Sequence, residues 1–289
     1  MVSRSRAVCV AVCVSVVAAG GFAAQAGAGT EASGVTPAGA VSELRAAAPE
    51  VLAQAPRVEV GGETFDPALR REGSGFTLEG AGVDARVSGS AGGGFALEGE
   101  GESPDLVVRP QGVDPGADPG VRAGDAVVFA NTQPGADQVV KASALGLETF
   151  VQIRGPESPT DYSYTVDLRG EGQRLVLLDS GAVAIVDPDG DAVAVASPPQ
   201  AHDANGNPVP VTASVSGSTL TLHVPHTAGD WAYPIVVDPF WGWVKGAARF
   251  AGRLLVPAAR AYLCVDSVAG FVRRPSVKRG AQAVVLCLL

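Results

Sequence analysis

The sequence predicts an all-β protein: an antiparallel β-sandwich, with a smaller β-hairpin-rich region before it and a short helical tail after it. Three observations carry this reading. From Arg57 to Asp238 apolar residues recur at every second position in short runs, the period of a half-buried strand. Turn-forming dipeptides interrupt those runs roughly every 8–12 residues, the spacing of a sandwich. The composition, with 37 Gly and 21 Pro against one Met, describes many turns joined by short strands rather than a helical bundle.

At the N-terminus, Arg4 and Arg6 precede an apolar, small-residue-rich stretch, and Ala24-Gln25-Ala26 has the form of a cleavage site. Residues 1–26 therefore read as a secretory signal peptide, the stretch being short for a membrane span. A retained membrane anchor is the alternative. Cleavage after Ala26 removes Cys9 and Cys13 and leaves Cys264 and Cys287. Export permits a disulfide between these two, closing a loop worth roughly 3 kcal/mol in the chain-entropy model; two free thiols are the other reading. Residues 27–56 read as an Ala/Gly/Pro-rich linker with a short helical pattern over Val41–Leu52, starting imperfectly at Ser42, where Arg45 stands in place of a capping-box acid. A helix docked on the following domain is the second reading of that segment.

Residues 57–109 alternate apolar with polar between glycine clusters and predict β-hairpins, with "GSGFTLEGAG" at 73–82 echoed by "GGGFALEGEG" at 92–101. Residues 110–125 carry Pro and Gly at intervals that read as a linker. Residues 126–239 hold ten candidate strands, from "AVVFAN" to "AYPIVVD", with turns at "DSG", "DPDGD", "DANGNP" and "SGS". The last strand sets Tyr233, Ile235 and Val237 on one face, and Pro239 ends it because proline donates nothing to a ladder.

The phrasing of 126–239, with "VVFANTQPGADQVVKASALGLETFVQIRGPESP", "LLDSGAVAIVDPDGDAVAVASPP", "DANG" and the closing "WAYPIVVDP", resembles a β-sandwich module of large secreted, wall-associated actinobacterial proteins of the Rhs/YD-repeat or adhesin-like kind. That resemblance implies surface or secreted placement and a structural, adhesive or carrier role, and it brings no catalytic residues. After Pro239 the sequence departs from that pattern. Three lysines against eighteen arginines fit a bacterial source of high GC content.

Charge divides the chain. Residues 240–289 carry eight basic residues against Asp266 alone, whereas residues 1–239 carry thirteen against twenty-nine acids. An acidic body argues against nucleic acid as its ligand, since phosphate neutralisation needs a positive face. In the tail, Trp241, Val244, Ala248, Ala251 and Leu255 recur at helical spacing while Lys245, Arg249 and Arg253 share another face. With Trp243 beside them, Trp241, Lys245, Arg249 and Arg253 form a candidate contact for a membrane surface or a polyanion; a helix docked on the body, or an out-of-frame end, is the alternative.

Asp187, Asp189 and Asp191 have the alternate spacing by which a loop turns oxygens towards calcium, and Asp203, Asn205 and Asn207 repeat it. Tight hairpin turns account for both stretches equally, and no other cofactor is expected. His223 and His226, three apart on an extended chain, point to opposite faces and read as strand-end histidines. No nucleophile elbow or metalloprotease motif occurs. The sequence thus predicts a non-enzymatic secreted or cell-wall-associated protein, a structural or adhesive β-module whose partners are cell-envelope polymers or surface proteins. The alternative is an exported effector or toxin fragment with a β carrier and a membrane-active basic tail.

Overall fold

Thr36 and Pro37 open the first regular element. The computed structural model describes residues 34–55, 57–60, 63–79, 84–98, 106–143, 146–190, 192–196 and 198–238. The expected signal peptide at 1–26, the tail at 240–289 with Trp241, Trp243, Lys245, Arg249 and Arg253, the expected Cys264–Cys287 bridge and Asp191 lie outside the described residues.

Helix α1 spans Pro37–Ala47; Thr36 Oγ1 accepts the Gly39 amide at 3.1 Å and Pro37 stands in the first turn. The expected start at Ser42 moves upstream because Thr-Pro supplies both a cap and a preset φ. Pro49 opens a separate four-residue turn, α2 (Pro49–Leu52). The expected 41–52 helix is divided there because the residue before a proline avoids helical ψ, and Ala48 sits at φ −143°, ψ 67°. Both helices are docked, the second reading of this segment.

The strands are β1 (Val58–Val60), β2 (Glu63–Phe65), β3 (Ala68–Glu72), β4 (Gly75–Glu79), β5 (Asp84–Val87), β6 (Phe95–Glu98), β7 (Leu106–Pro110), β8 (Val121–Ala123), β9 (Ala126–Gln133), β10 (Ala136–Ser143), β11 (Gly146–Ile153), β12 (Asp161–Leu168), β13 (Arg174–Leu177), β14 (Val183–Val186), β15 (Ala192–Ala196), β16 (Gln200–His202), β17 (Thr212–Ser216), β18 (Thr219–His223) and β19 (Ile235–Asp238). Every pairing among them is antiparallel. An eight-stranded sheet runs β17-β18-β12-β7-β6-β5-β4-β3 and a six-stranded one β16-β19-β11-β10-β9-β8. β13-β14-β15 and β1-β2 form smaller sheets. Among the described residues the protein is all-β apart from the helical strap.

The two large sheets bury one shared cluster. Leu69, Phe76, Leu78, Val87 and Phe95 from the first hairpins meet Val127, Phe129, Val140, Val151 and Ile153. The hairpins of 57–109 expose an apolar face that they cannot cover by themselves. They are therefore continuous with the later strands: β7 pairs with β12, Leu106 opposite Leu168 and Pro110 opposite Tyr164. The large sheet thus crosses the expected linker 110–125, which itself contributes β8.

The six-stranded sheet is covered on its other face as well. Ala40, Val41, Leu44, Val51 and Leu52 of the helices pack on Ala126, Val128, Val139, Phe150 and Val236. This second cover explains why "AVVFA" reads as an unbroken apolar run instead of alternating. Gly124, at φ +64°, lets the β8–β9 turn pass under α2, where a Cβ would stand 2.2 Å from the Leu52 carbonyl oxygen. In β19, Ile235 and Val237 face the shared core and Val236 faces the helices. Tyr233 precedes the strand and packs against the same core.

Candidate ligand-binding face

Because β12 and β18 turn Tyr162, Tyr164, Leu220 and Leu222 inward, period two turns their hydroxyl-bearing residues outward. Register then lines these up in rows across β17, β18 and β12: Ser216–Thr219–Thr165, Ser214–Thr221–Ser163 and Thr212–His223–Asp161. Neighbours in a row lie about 4.8 Å apart and successive rows about 6.6 Å. Ser163 Oγ and Thr221 Oγ1 are 2.7 Å apart, and Gln111 Nε2 donates to Thr165 Oγ1 at 2.8 Å and Thr219 Oγ1 at 3.4 Å. Charge stands at the margins, where His223 Nδ1 meets Asp161 Oδ1 at 2.9 Å and Arg109 pairs with Asp167. The result is a face on which hydroxyls recur in register, those of Ser163, Thr165, Thr219 and Thr221 being held by hydrogen bonds to one another or to Gln111.

At the edge of this face the two sheets part in a narrow cleft lined by Gln111, Thr132, Gln133, Gln138, Tyr162 and Ser163, among other uncharged residues. Its interior volume of about 20 Å³ admits a hydroxyl-sized group and no ring. Gln133 Nε2 donates to the Gln111 carbonyl at 3.0 Å, but Gln133 Oε1 has no partner in the protein, nor has the Tyr162 hydroxyl. Tyr162 is 4 % exposed. Burial, reinforced by Tyr164, Tyr233 and Asp161, pushes its phenol well above the ordinary tyrosine range, so the hydroxyl remains a proton donor.

A second polar cluster lies on the helix-covered face. Opposite β10, β9 carries extra residues between Phe129 and Gln133, a bulge in which Asn131 adopts φ +55°. Its amide grips the chain ahead of α1: Asn131 Oδ1 accepts from Val35 N at 3.0 Å and Nδ2 donates to Val35 O at 2.7 Å and Asp118 Oδ2 at 3.0 Å. Arg154 Nη2 also donates to Asn131 Oδ1 at 3.0 Å, and its Nη1 pairs with the fully buried Asp137. Asp137 Oδ1 accepts Asn131 N at 2.8 Å, while Oδ2 has no partner. Desolvation outweighs these contacts and holds the Asp137 carboxyl above its ordinary value.

The expected calcium loop is the β14–β15 turn. Gly190 N donates to Asp187 O at 3.1 Å, Asp187 is half-buried with a polar interaction of its own, and Asp189 is exposed. Among the described residues no three Asp, Glu, His or Cys side chains gather as a cation site. Asp203 turns its carboxylate onto its own loop, accepting from Asn205 N at 3.0 Å, Asn207 N at 2.7 Å, Asn207 Nδ2 at 3.1 Å and Ala232 N at 3.3 Å. Burial raises its pKa, yet the donors of Asn207, Ala232 and Asn205 prevail and set it below the ordinary value. His223 and His226 are not brought together: His226 is buried in a single turn of 3-10 helix, with Nδ1 2.9 Å from the Tyr233 hydroxyl and Nε2 3.1 Å from the Pro159 carbonyl. The cleft and the Asn131 cluster were not foreseen. The signal for both was polar side chains inside apolar strand runs, in "NTQPGADQVV" and "FVQIR".

No family model, curated protein or solved structure matches this chain.

Proposed function

We propose that the chain is a non-enzymatic, secreted or cell-wall-associated β-sandwich module, a structural or adhesive unit of the bacterial envelope that holds envelope polymers on the outer face of its eight-stranded sheet. The observation that carries this reading is the ordered array of neutral hydroxyls formed by β17, β18 and β12 and fixed by Gln111. A sheet face of preorganised donors and acceptors suits an extended polar polymer, since little side-chain freedom is lost on binding. The export-type N-terminus and the wall-associated resemblance of residues 126–239 support the same placement.

Co-sedimentation with isolated cell envelope tests it, using the chain from Gly27 onward and the same chain ended at Pro239. Both are expected to sediment, at low and at high salt, because the rows Ser216–Thr219–Thr165 and Ser214–Thr221–Ser163 carry no charge and the charged groups beside them, His223 with Asp161 and Arg109 with Asp167, are paired with each other. Sedimentation of the longer chain alone, released by salt, would transfer the activity to the basic tail and overturn this reading in favour of a membrane-active or polyanion-binding tail carried by the β body.

A further inference from the structure

We propose that the cleft bounded by Gln111, Gln133, Gln138 and Tyr162 is a subsite that takes one hydroxyl group of a neutral polysaccharide whose chain lies along the hydroxyl face. The inference rests on the envelope-binding reading above and gives it a ligand class.

Chemistry selects the group. Tyr162 offers a buried O–H with no acceptor and Gln133 Oε1 a buried acceptor with no donor. A hydroxyl is a neutral group that can answer either, accepting from Tyr162 or donating to Gln133. An anion would be desolvated in a cleft without a cationic lining residue, and an ammonium would find no carboxylate there. Size points the same way, since the interior admits a hydroxyl while the sugar ring stays outside. Continuity supplies the rest: Gln111 and Ser163 line the cleft, Ser163 belongs to a hydroxyl row and Gln111 donates to Thr165 and Thr219 of the next. A ring resting near Ser163 and Thr165 is thus placed to send a substituent inward.

The test is calorimetric titration of the chain from Gly27 onward with neutral glucose, galactose and mannose oligosaccharides, at low salt and in 0.5 M NaCl. One member of the panel is expected to bind with an affinity independent of salt. Tyr162→Phe is expected to weaken that binding about 3- to 10-fold, the worth of one hydrogen bond. The same variant should keep or raise the unfolding midpoint, because the hydroxyl has no partner in the free protein. Absence of binding across the panel, salt-sensitive binding, or a Tyr162→Phe variant that binds as tightly as the wild type would each overturn the subsite. So would a crystal structure of the complex in which no sugar hydroxyl contacts Tyr162 or Gln133. Envelope sedimentation separates the two readings. If the double variant Thr165→Lys, Thr221→Lys loses it and Tyr162→Phe binds the oligosaccharides unaltered, the face stands and the subsite falls. If the double variant sediments like the wild type, the face itself is refuted.

Discussion

Two buried aspartates show how local donors decide the fate of a carboxylate. Asp203 receives hydrogen bonds from four N–H groups of its own turn and of Ala232, so its charge is satisfied and its pKa is lowered despite burial. Asp137 has Asn131 N and Arg154 on one oxygen and nothing on the other, and desolvation raises its pKa. Directly opposite it on β11 stands Gln152, also fully buried, whose Oε1 lacks a partner and whose Nε2 lies 3.5 Å from Glu43 of α1. Linkage fixes the signs. A raised folded pKa means that Asp137 favours the native state at low pH, and that this contribution is lost as pH rises above about 3.8 and through the folded value. Asp203 does the reverse, its contribution present above about 3.8 and lost as pH falls through its lowered value. Asp137→Asn imitates the protonated acid and places an N–H donor beside Gln152. Urea unfolding from pH 4 to pH 8 should therefore find the variant equal to wild type at the acid end and more stable at neutral pH. A variant less stable at neutral pH would show that the Arg154 pairing, rather than desolvation, governs Asp137.

Among the elements, the N-terminal strap is held less by helix propensity than by what fastens it. Residues 34–55 are tied by Asn131 at Val35, by Lys141 Nζ to the Glu50 carbonyl at 2.8 Å, and by Asp125 Oδ2 to Ala55 N at 3.1 Å. Between these ties, Leu44 is fully buried against the sheet. Leu44→Ala is expected to cost about 2–5 kcal/mol and Thr36→Ala about 1 kcal/mol. Chemical denaturation measures both, and hydrogen exchange should show the loss first in α1. A cost near zero for Leu44→Ala would mean that the strap is not part of the cooperative unit. The strap also shows what sequence could convey. Its apolar pattern at Val41, Leu44, Val51 and Leu52 is legible, because helix period is local; its start lies at Thr36-Pro37 and not at Ser42, because cap and preset φ outweigh the first apolar residue of the pattern. β8 and β16, each of three residues, were missed because so short a run carries no period. Asn131 was illegible for another reason: a bulge is set by register against a partner strand, which no local pattern encodes.

At the scale of the whole molecule, antiparallel pairing joins early and late segments into one sheet, and the functional proposals depend on that union. The hydroxyl rows belong to β12, β17 and β18, yet Gln111, which fixes them and borders the cleft, follows directly on β7. The boundary drawn at 110–125 reflected turn residues, which report local chain direction and not which strands lie side by side. One shared core implies one transition. Leu78 of β4 and Leu222 of β18, both 1 % exposed, belong to the same buried cluster although they come from opposite ends of the described chain. Leu78→Ala and Leu222→Ala should each lower the midpoint of a single unfolding transition, by about 2–5 kcal/mol of stability apiece. Calorimetry would give one endotherm for the wild type and for each variant, with calorimetric and van't Hoff enthalpies in agreement. If the early hairpins formed a domain of their own, Leu78→Ala would shift one of two endotherms and leave the other in place. Gln111 would then be anchored in a separately unfolding body, and the hydroxyl face would lose its fixed geometry before β12 and β18 came apart.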